Sequence, residues 1–465
     1  MGVWKFAVVL PMASILAIML IAPEVALPGA QNLSSSFSIT DAGKYNGPGG
    51  CAASNCHGSV KPRNVPGIRI SQNEFSIWAA RDKHARAYSV LSNPVSMRMA
   101  KILKIDQPNK AEKCLVCHAL YVKPELRATT FQLDDGVSCE NCHGPAVGWL
   151  GPHTTENWKH YSAAEKSRFG MYDTLELTSR SERCMSCHVG NAQKQVDHEM
   201  IAAGHPDLTF ELDSFTAAMP RHWNLKADEN PWIGTQSWVI GQAVQLRESL
   251  KRLSFRAGGP NWPDYAELDC FACHHALTTP SDSWRLTTTD YYQGRRAGVP
   301  AWNASRYIVF RSFVGVIDSL HAQQLDSSLT QLSTLIAQWG NPKEIADTAT
   351  NAAKITDDLL QRVRAQQYSA DLTARIMLAI SSNANAIANG GERAAEQATM
   401  ALDTLSIAYS ANTKLPNDQE LRAQIGKLFQ QLQNPSAYNA PQFEQQLQKV
   451  QALLPHASAV ATGAE

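Results

Sequence analysis

The sequence predicts a mainly α-helical protein in two parts: a loop-rich part that contains every cysteine, and a helical bundle that follows it. The ten cysteines lie between residues 51 and 273, where Gly and Pro separate short helical stretches. From residue 302 onward there is no cysteine, and apolar residues recur at helical spacing, for example at Val309, Phe313, Val316 and Leu320. Breakers divide this second part, and we expect six or seven packed helices in it.

Two helices can be predicted within the loop-rich part. One begins at Ser71, a suitable N-cap, and carries Phe75 and Trp78 on one side. It is expected to continue past His84. The other carries apolar residues at near-helical spacing up to Leu253 and ends where Gly258 opens a Gly-Gly-Pro sequence.

The N-terminus has the pattern of an export signal. A single lysine precedes an apolar run from Phe6 to Ala22, so residues 1–30 are predicted to be a signal peptide. The run also nearly reaches the length of a membrane span, so a retained anchor is the alternative. In both cases we expect the bulk of the chain in the periplasm or another extracytoplasmic compartment. Residues 31–50, rich in Gly, Ser and Asn, are predicted to be a flexible lead-in.

The cysteines form five pairs, and a histidine directly follows the second cysteine of each pair. Four pairs read Cys-x-x-Cys-His, the signature of covalent c-type haem attachment. In this chemistry two thiols add to the porphyrin vinyl groups, and the histidine becomes the proximal ligand of the iron. We number the motifs in chain order: Cys51, Cys56 and His57 (site 1); Cys114, Cys117 and His118 (site 2); Cys139, Cys142 and His143 (site 3); Cys184, Cys187 and His188 (site 4); Cys270, Cys273 and His274 (site 5).

Site 1 differs from the others because four residues, not two, separate its cysteines. Zinc knuckles and disulfide frameworks, which also use close cysteine pairs, are the alternatives at every site. Neither needs a histidine after each second cysteine, and a disulfide framework does not repeat one tight spacing. Gly49, Gly50 and Gly58 flank the longer loop and allow the bend that it requires. The sequence therefore predicts five covalently bound haem c groups, each with its iron.

Nine histidines lie outside the motifs, more than five irons need as second, distal ligands. We expect the distal ligands among five residues near the motifs: His84, His153, His198, His205 and His222. His275 could reach only a haem other than that of site 5, whereas His321 and His456 are expected to be surface or packing residues. Methionine is the alternative ligand, but none occupies a telling position. Iron held by two histidines is six-coordinate, which favours electron transfer over substrate binding.

The charge balance is even, with 42 Lys and Arg against 42 Asp and Glu, and no basic stripe stands out along the chain. We therefore expect no nucleic-acid partner. Five haems would add about ten propionate groups, so the haem-bearing protein should be more acidic than its sequence. Residues 51–301 are predicted to form a pentahaem cytochrome c domain, and residues 302–465 a helical bundle domain.

Several blocks of residues 51–305 resemble multihaem c-type cytochromes related to the tetrahaem electron carrier of ammonia-oxidising bacteria. The blocks are WAARDKHARA, GVSCENCHGP, MIAAGHPDLTFEL, PRHW, CFACHHAL and SWRLTTTDYYQGRRAGVPAWN. The resemblance implies a mostly helical fold packed with closely stacked haems, a periplasmic location and electron transfer between redox partner proteins. It also implies distal roles for His84, His153, and His198 or His205. A fifth motif and the longer loop of site 1 depart from the family pattern, which leaves the order of the haems and the pairing of their ligands open.

Electron transfer is the leading hypothesis, and two others remain. An oxidoreductase would act on a small nitrogen or sulfur compound at one open haem, as in some relatives. All five motifs end in His, so the lysine-ligated haem of multihaem nitrite and tetrathionate reductases is absent. A tyrosine cross-link like that of hydroxylamine-oxidising relatives stays open for Tyr88, Tyr121, Tyr161 and Tyr172. In the third hypothesis, the N-terminal segment or the C-terminal helices dock the protein onto a membrane complex.

Overall fold

The computed structural model describes residues 43–63, 70–223, 230–270, 273–274, 299–415 and 417–455. The predicted signal peptide, His275 and His456 lie outside these ranges. The described chain is mainly α-helical, which confirms the predicted fold class. Its only β-structure is a pair of isolated bridges, Tyr45 with Arg127 and Leu268 with Trp302. None of the described helices combines the length and the apolar character that a membrane span needs.

The helices before residue 302 are mostly short. They are α1 (Glu74–Arg81), α2 (Pro94–Ile102), α3 (Glu112–His118), α4 (Cys139–His143), α5 (Glu156–His160), α6 (Ala163–Ser167), α7 (Leu177–His188), α8 (His198–Ala202), α9 (Leu212–Ala218) and α10 (Ile233–Ala257). α10 ends at Gly258, as the sequence predicts.

The long helix predicted from Ser71 is wrong in both its bounds. α1 begins after Asn73 and ends at Arg81, because Asp82 is extended and its carboxylate accepts a hydrogen bond from the backbone N–H of His84. A carboxylate that caps the next turn in this way competes with continuation of the helix. His84 therefore lies in a short 3₁₀ turn rather than on a long helix.

The chain from residue 302 onward contains eight helices in its described residues, against the six or seven expected. They are α11 (Ser305–Ile317), α12 (Ser319–Ala337), α13 (Pro342–Ala365), α14 (Ala370–Ser381), α15 (Ala384–Asn389), α16 (Glu392–Asn412), α17 (Asp418–Gln431) and α18 (Ala440–Gln451). Some breaks lack Gly and Pro: Asp318 and Ser369 start α12 and α14 by accepting backbone hydrogen bonds as N-caps. Such polar caps inside apolar patterns were not recognised from the sequence.

The main hydrophobic core lies where the helices are long. It runs through α7 and α10 to α18, and α10 packs most extensively against α13, with α7 and α16 on its other sides. Between residues 43 and 170 the described chain has only small apolar clusters, such as that of Ala146, Trp149 and Trp158. A region with so little side-chain core needs other groups to fill its interior. The domain boundary at residues 301 and 302 stays a prediction.

Candidate haem-binding sites

Sites 2, 3 and 4 share one local structure, in which the motif forms the last turn of a helix. α3, α4 and α7 each end at the motif histidine. In a helix, residues three and four apart lie on one face, so the two cysteines and the histidine project to the same side. The spacing Cys-x-x-Cys-His thus brings three reactive groups together by helical geometry alone.

Site 1 reaches a similar closure with a longer loop. The backbone N–H of His57 donates to the carbonyl of Cys51 at 3.2 Å, just as the N–H of His274 donates to Cys270 at 2.8 Å in the regular motif of site 5. The two additional residues bulge out inside this hydrogen bond. Gly58 is needed here because a Cβ on it would lie 1.8 Å from the carbonyl oxygen of Ala52. The longer spacing therefore leaves the first cysteine and the histidine related as in an ordinary motif.

Four motif histidines each face one histidine from outside the motifs. The ring centroids are 6.3 Å apart for His57 and His153 (site 1), 6.4 Å for His118 and His205 (site 2), 6.5 Å for His143 and His222 (site 3), and 6.2 Å for His188 and His84 (site 4). Every pair joins one motif histidine to one predicted distal ligand.

These distances fit one iron between each pair of rings. An imidazole nitrogen binds a metal at about 2 Å, and two rings on opposite sides of one ion then have centroids about 6 Å apart. Two histidines on a tetrahedral zinc ion would have centroids only about 5 Å apart. The spacing therefore fits haem better than the zinc alternative.

The paired histidines are oriented by hydrogen bonds from Nδ1. The Nδ1 of His118 donates to the carbonyl of Ala87 at 2.8 Å, that of His153 to Trp149 at 3.0 Å, and that of His205 to Pro206 at 2.8 Å. His222 has a longer contact of the same kind, 3.4 Å to Pro220. A partner on Nδ1 fixes the tautomer and leaves Nε2 as the ligand, which is the usual arrangement around metal-binding histidines.

Two paired histidines use carboxylates for the same purpose. His57 Nδ1 lies 2.9 Å from Glu74, and His84 Nδ1 lies 3.0 Å from Asp82. Burial alone would raise the pKa of each carboxyl, but the hydrogen bonds, led by those with the two histidine rings, outweigh burial and lower it. Both carboxylates are therefore ionised at neutral pH, and each increases the electron density and the basicity of the imidazole ring that it contacts.

Replacing Asp82 with asparagine is expected to raise the reduction potential of the site 4 iron by about 50 mV. The negative charge favours the ferric state, and a charge-assisted hydrogen bond exceeds a neutral one by about 1–2 kcal/mol, where 59 mV corresponds to a tenfold change for one electron. A redox titration followed by visible and EPR spectra measures the shift. Asp106→Asn, which removes the same charge from an exposed residue, is the control. An equal shift in the control, or a lower potential, would contradict the assignment.

The cysteine side chains bring the sites together in pairs. Cys51 and Cys139 lie beside each other, and this contact lowers the pKa of the first and raises that of the second. Cys117 and Cys187 also lie beside each other, and Cys187 is the largest cause of the raised pKa of Cys117. Site 1 therefore lies beside site 3, and site 2 beside site 4. These pKa values belong to the chain before attachment, because attached sulfurs are thioethers.

Sites 3 and 4 are also neighbours, and site 5 lies near site 2. Burial first, and then the neighbouring Cys142, raise the pKa of Cys184 to about 12. Burial is likewise the main cause of the raised pKa of Cys270, and the next is the charge of Asp207, two residues after His205. Sites 1, 3, 4 and 2 therefore follow one another in space, which differs from their order in the chain, and Cys270 of site 5 lies near Asp207 of the His205 segment.

Glu140, inside the motif of site 3, anchors the segment before site 1. Its carboxylate is buried and accepts backbone hydrogen bonds from Asn46 at 2.9 Å, Gly47 at 2.7 Å and Ala146 at 2.6 Å. Tyr45 is buried as well. Part of the predicted lead-in thus forms the contact between sites 1 and 3. No sequence pattern marked Glu140 for this role.

The helical bundle holds the segment that carries His205. Arg306 of α11 donates to the carbonyl of Leu208 at 2.6 Å, and Arg393 of α16 donates to Thr209 at 2.9 Å. The amides of Gln245 and Gln397 both donate to the carbonyl of Phe210. Helices after residue 302 therefore position a histidine that lies a hundred residues before them.

Two predicted ligands are not brought to a histidine in the described residues. His198 packs edge-on against Tyr265, with ring centroids 5.6 Å apart. His274 has no ring contact with another histidine in the described ranges, and its neighbour His275 lies outside them. Of the tyrosines left open for a cross-link, Tyr88 and Tyr121 pack beside Cys114 of site 2.

Helix-end cysteine pairs, facing histidines and a mainly α fold define the class of protein: a c-type cytochrome, which binds haem iron covalently and transfers electrons. The comparison with protein families supports this. A family model described as "Cytochrome c554 and c-prime" matches residues 51–144, which include sites 1, 2 and 3. No curated protein and no solved structure matches the chain.

Proposed function

We propose that the chain is an exported pentahaem cytochrome that transfers electrons between two redox partner proteins. The observation that carries the proposal is the set of four histidine pairs, each of one motif and one non-motif histidine, 6.2–6.5 Å apart. Haem iron bound between such a pair supplies one-electron redox chemistry. The two histidines of each pair would hold such an iron from both sides, so sites 1 to 4 would leave no position for a substrate.

The arrangement of the sites supports transfer over a distance. Cysteines of neighbouring sites lie close together for sites 1 and 3, 3 and 4, and 4 and 2, and Cys270 of site 5 lies near Asp207, two residues after His205. Each site has a neighbour, which is what exchange of electrons between bound cofactors requires.

The proposed location outside the cytoplasm rests on the N-terminal apolar run from Phe6 to Ala22. It agrees with the compartment in which c-type haem is attached. The electron donor and acceptor are proposed to be proteins. Four irons that are each bound between two histidines would have no site for a substrate and would exchange electrons only with other redox centres. A role for the C-terminal helices in docking to a membrane complex stays a prediction.

The test is a haem count with EPR spectra of the oxidised protein. A pyridine haemochrome assay and the intact mass should give five haems for each chain. At least four should be low-spin. The rings at site 1 are nearly parallel, 13° apart, whereas those at sites 2, 3 and 4 are 79–89° apart. Parallel planes split the iron d orbitals more, so we expect one rhombic low-spin signal and three more axial ones.

Several outcomes would contradict the proposal. Four haems for each chain would exclude haem at site 1 or site 5, and peptide mass mapping would say which. Two or more high-spin irons that bind nitric oxide would overturn the histidine pairing. A single reactive iron that turns over a small nitrogen or sulfur compound would favour the oxidoreductase alternative.

A further inference from the structure

One segment of this neutral chain is strongly basic. Residues 81–113, here called the basic segment, contain eight Lys and Arg but only three Asp and Glu. The rest of the chain is correspondingly acidic, and the two cancel in the total. This segment corrects the expectation that no basic stripe stands out along the chain, because the even total charge conceals a local excess of cations.

The structure places all eight cations on the surface. They are Arg81, Lys83, Arg86, Arg98, Lys101, Lys104, Lys110 and Lys113. Lys113 pairs with Asp197 at 2.6 Å, and no ion pair involves the other seven in the described part of the chain. Of the three acids in the segment, Asp82 is buried against His84, and Asp106 and Glu112 are exposed, so the cations remain in clear excess. The segment thus presents a positive field to solvent.

Apolar side chains are exposed among these cations. The exposed fractions are 38% for Val90, 50% for Val95, 45% for Met97 and 56% for Ile102. Three of the four lie on α2. An apolar centre within a charged rim is the composition of a protein interface, where the centre contributes affinity and the rim steers the encounter.

The basic segment is also part of two haem sites. It carries His84 of site 4, and its Ala87 carbonyl accepts the hydrogen bond from His118 of site 2. Cys114 follows its last residue. Met99 of α2 lies beside Gly204, next to His205, with its Cγ 3.7 Å from the position of a Cβ on that glycine. A partner bound here would stand close to both sites.

We infer that the basic segment is the docking surface for an acidic redox protein, which exchanges electrons at sites 2 and 4. The inference rests on the proposed function and adds the place and the charge of the partner. An anionic lipid surface would also attract cations, but helices that bind membrane interfaces are typically anchored by exposed Trp, Tyr, Phe or Leu side chains. The large apolar side chains that the basic segment exposes are Val, Met and Ile instead.

The experiment uses the full haem-bearing chain and a plant-type ferredoxin, an acidic iron–sulfur protein, as the probe. In stopped flow, one electron passes from the reduced ferredoxin to one ferric haem of the cytochrome. The variant Arg98→Glu/Lys101→Glu/Lys104→Glu reverses three charges on and after α2. The matched control, Lys414→Glu/Lys427→Glu/Lys449→Glu, reverses three exposed lysines of the bundle region and changes the net charge equally.

We expect the α2 variant to react at least about tenfold more slowly than wild type at low salt, and the difference to disappear at high salt. The control should change much less. Equal losses in both variants would mean that net charge alone matters and would overturn the inference. So would an unchanged rate, or loss of haem from the α2 variant, which would show that the cations hold propionates.

Two further outcomes separate this inference from related proposals. Flotation with vesicles of phosphatidylglycerol and phosphatidylcholine tests the lipid alternative: binding by wild type and not by the α2 variant, with an unchanged ferredoxin rate, would replace the protein partner with a membrane. A wild-type protein that lacks haem, or that does not accept electrons even from dithionite, would fail the proposed function itself. If the wild type accepts electrons normally and the α2 variant reacts equally fast, only the inference of a docking surface would be contradicted.

Discussion

Replacement of His205 with alanine is expected to convert one haem of the protein from low-spin to high-spin. His205 faces His118 at 6.4 Å and carries the distal position of site 2 in the proposed assignment. Alanine has no ligand atom, so the iron would become five-coordinate and open to small molecules. The reduced variant should bind carbon monoxide at about one haem in five, and its high-spin EPR signal should grow accordingly.

His160→Ala is the matched control, because His160 is exposed at the end of α5 and faces no motif histidine in the described residues. It should leave all spectra unchanged. His198→Ala is the informative third variant, since His198 was predicted as a ligand from its place seven residues before His205. A new high-spin haem in His198→Ala would assign it to site 5, whereas an unchanged spectrum in His205→Ala would refute the pairing at site 2.

Glu267→Gln is expected to destabilise the fold by about 3–5 kcal/mol, the cost of breaking a buried ion pair on one side. Glu267 is 3% exposed, and its carboxylate accepts hydrogen bonds from Arg252 at 2.7 and 3.0 Å and from Arg256 at 2.8 Å. Glutamine keeps the shape but removes the carboxylate that Arg252 pairs with and leaves Arg256 only its longer ion pair with Asp264, at 3.3 Å. These arginines also bind the carbonyls of Val189, directly after His188, and Val196.

The variant should therefore lose stability, and sites 4 and 5 should become less well ordered, since Glu267 lies three residues before Cys270. Chemical unfolding followed by circular dichroism measures the first effect, and the line widths of the low-spin EPR signals report the second. Glu125→Gln, an exposed glutamate, is the control and should change stability by less than about 0.5 kcal/mol. A loss as small in Glu267→Gln would show that the cluster is not structurally important.

The pH dependence of stability gives a second test of the same cluster. Burial would raise the pKa of Glu267, but the charges of Arg252 and Arg256 outweigh burial and lower it below the ordinary glutamate value of 4.5. The unfolded chain then binds more protons than the folded chain as pH falls, so the stability from Glu267 is present above about pH 4.5 and is lost below it. The Glu267→Gln variant should lack this part of the loss of stability at low pH, because it has no carboxylate to protonate there.

The chemistry of attachment could be predicted from the sequence because it is local. A thiol, a second thiol three residues later and an adjacent histidine meet within one helical turn, whatever the rest of the chain does. The same holds for the helical fold class and for the end of α10 at Gly258. Where a local signal is ambiguous, prediction fails. The helix predicted from Ser71 is too long because an apolar pattern does not show that Asp82 caps the next turn.

The partners of the motif histidines are a different kind of information. His153 lies ten residues after the motif of site 3 yet faces His57 of site 1, and His84 follows site 1 yet faces His188 of site 4. Sequence reasoning could name these residues as ligands but could not pair them, since the pairing depends on contacts such as that of Glu140 with Asn46. Arg306 and Arg393, which hold the His205 segment by hydrogen bonds, are likewise remote from it in sequence.

The sequence by itself thus determined which residues attach haem, because covalent attachment and helix geometry act over a few residues. The tertiary structure decided which histidines face each other, the spatial order of sites 1, 3, 4 and 2, and the exposure of the basic segment. These properties arise when segments up to about two hundred residues apart bury charges and apolar faces against one another, and no spacing along the chain records that.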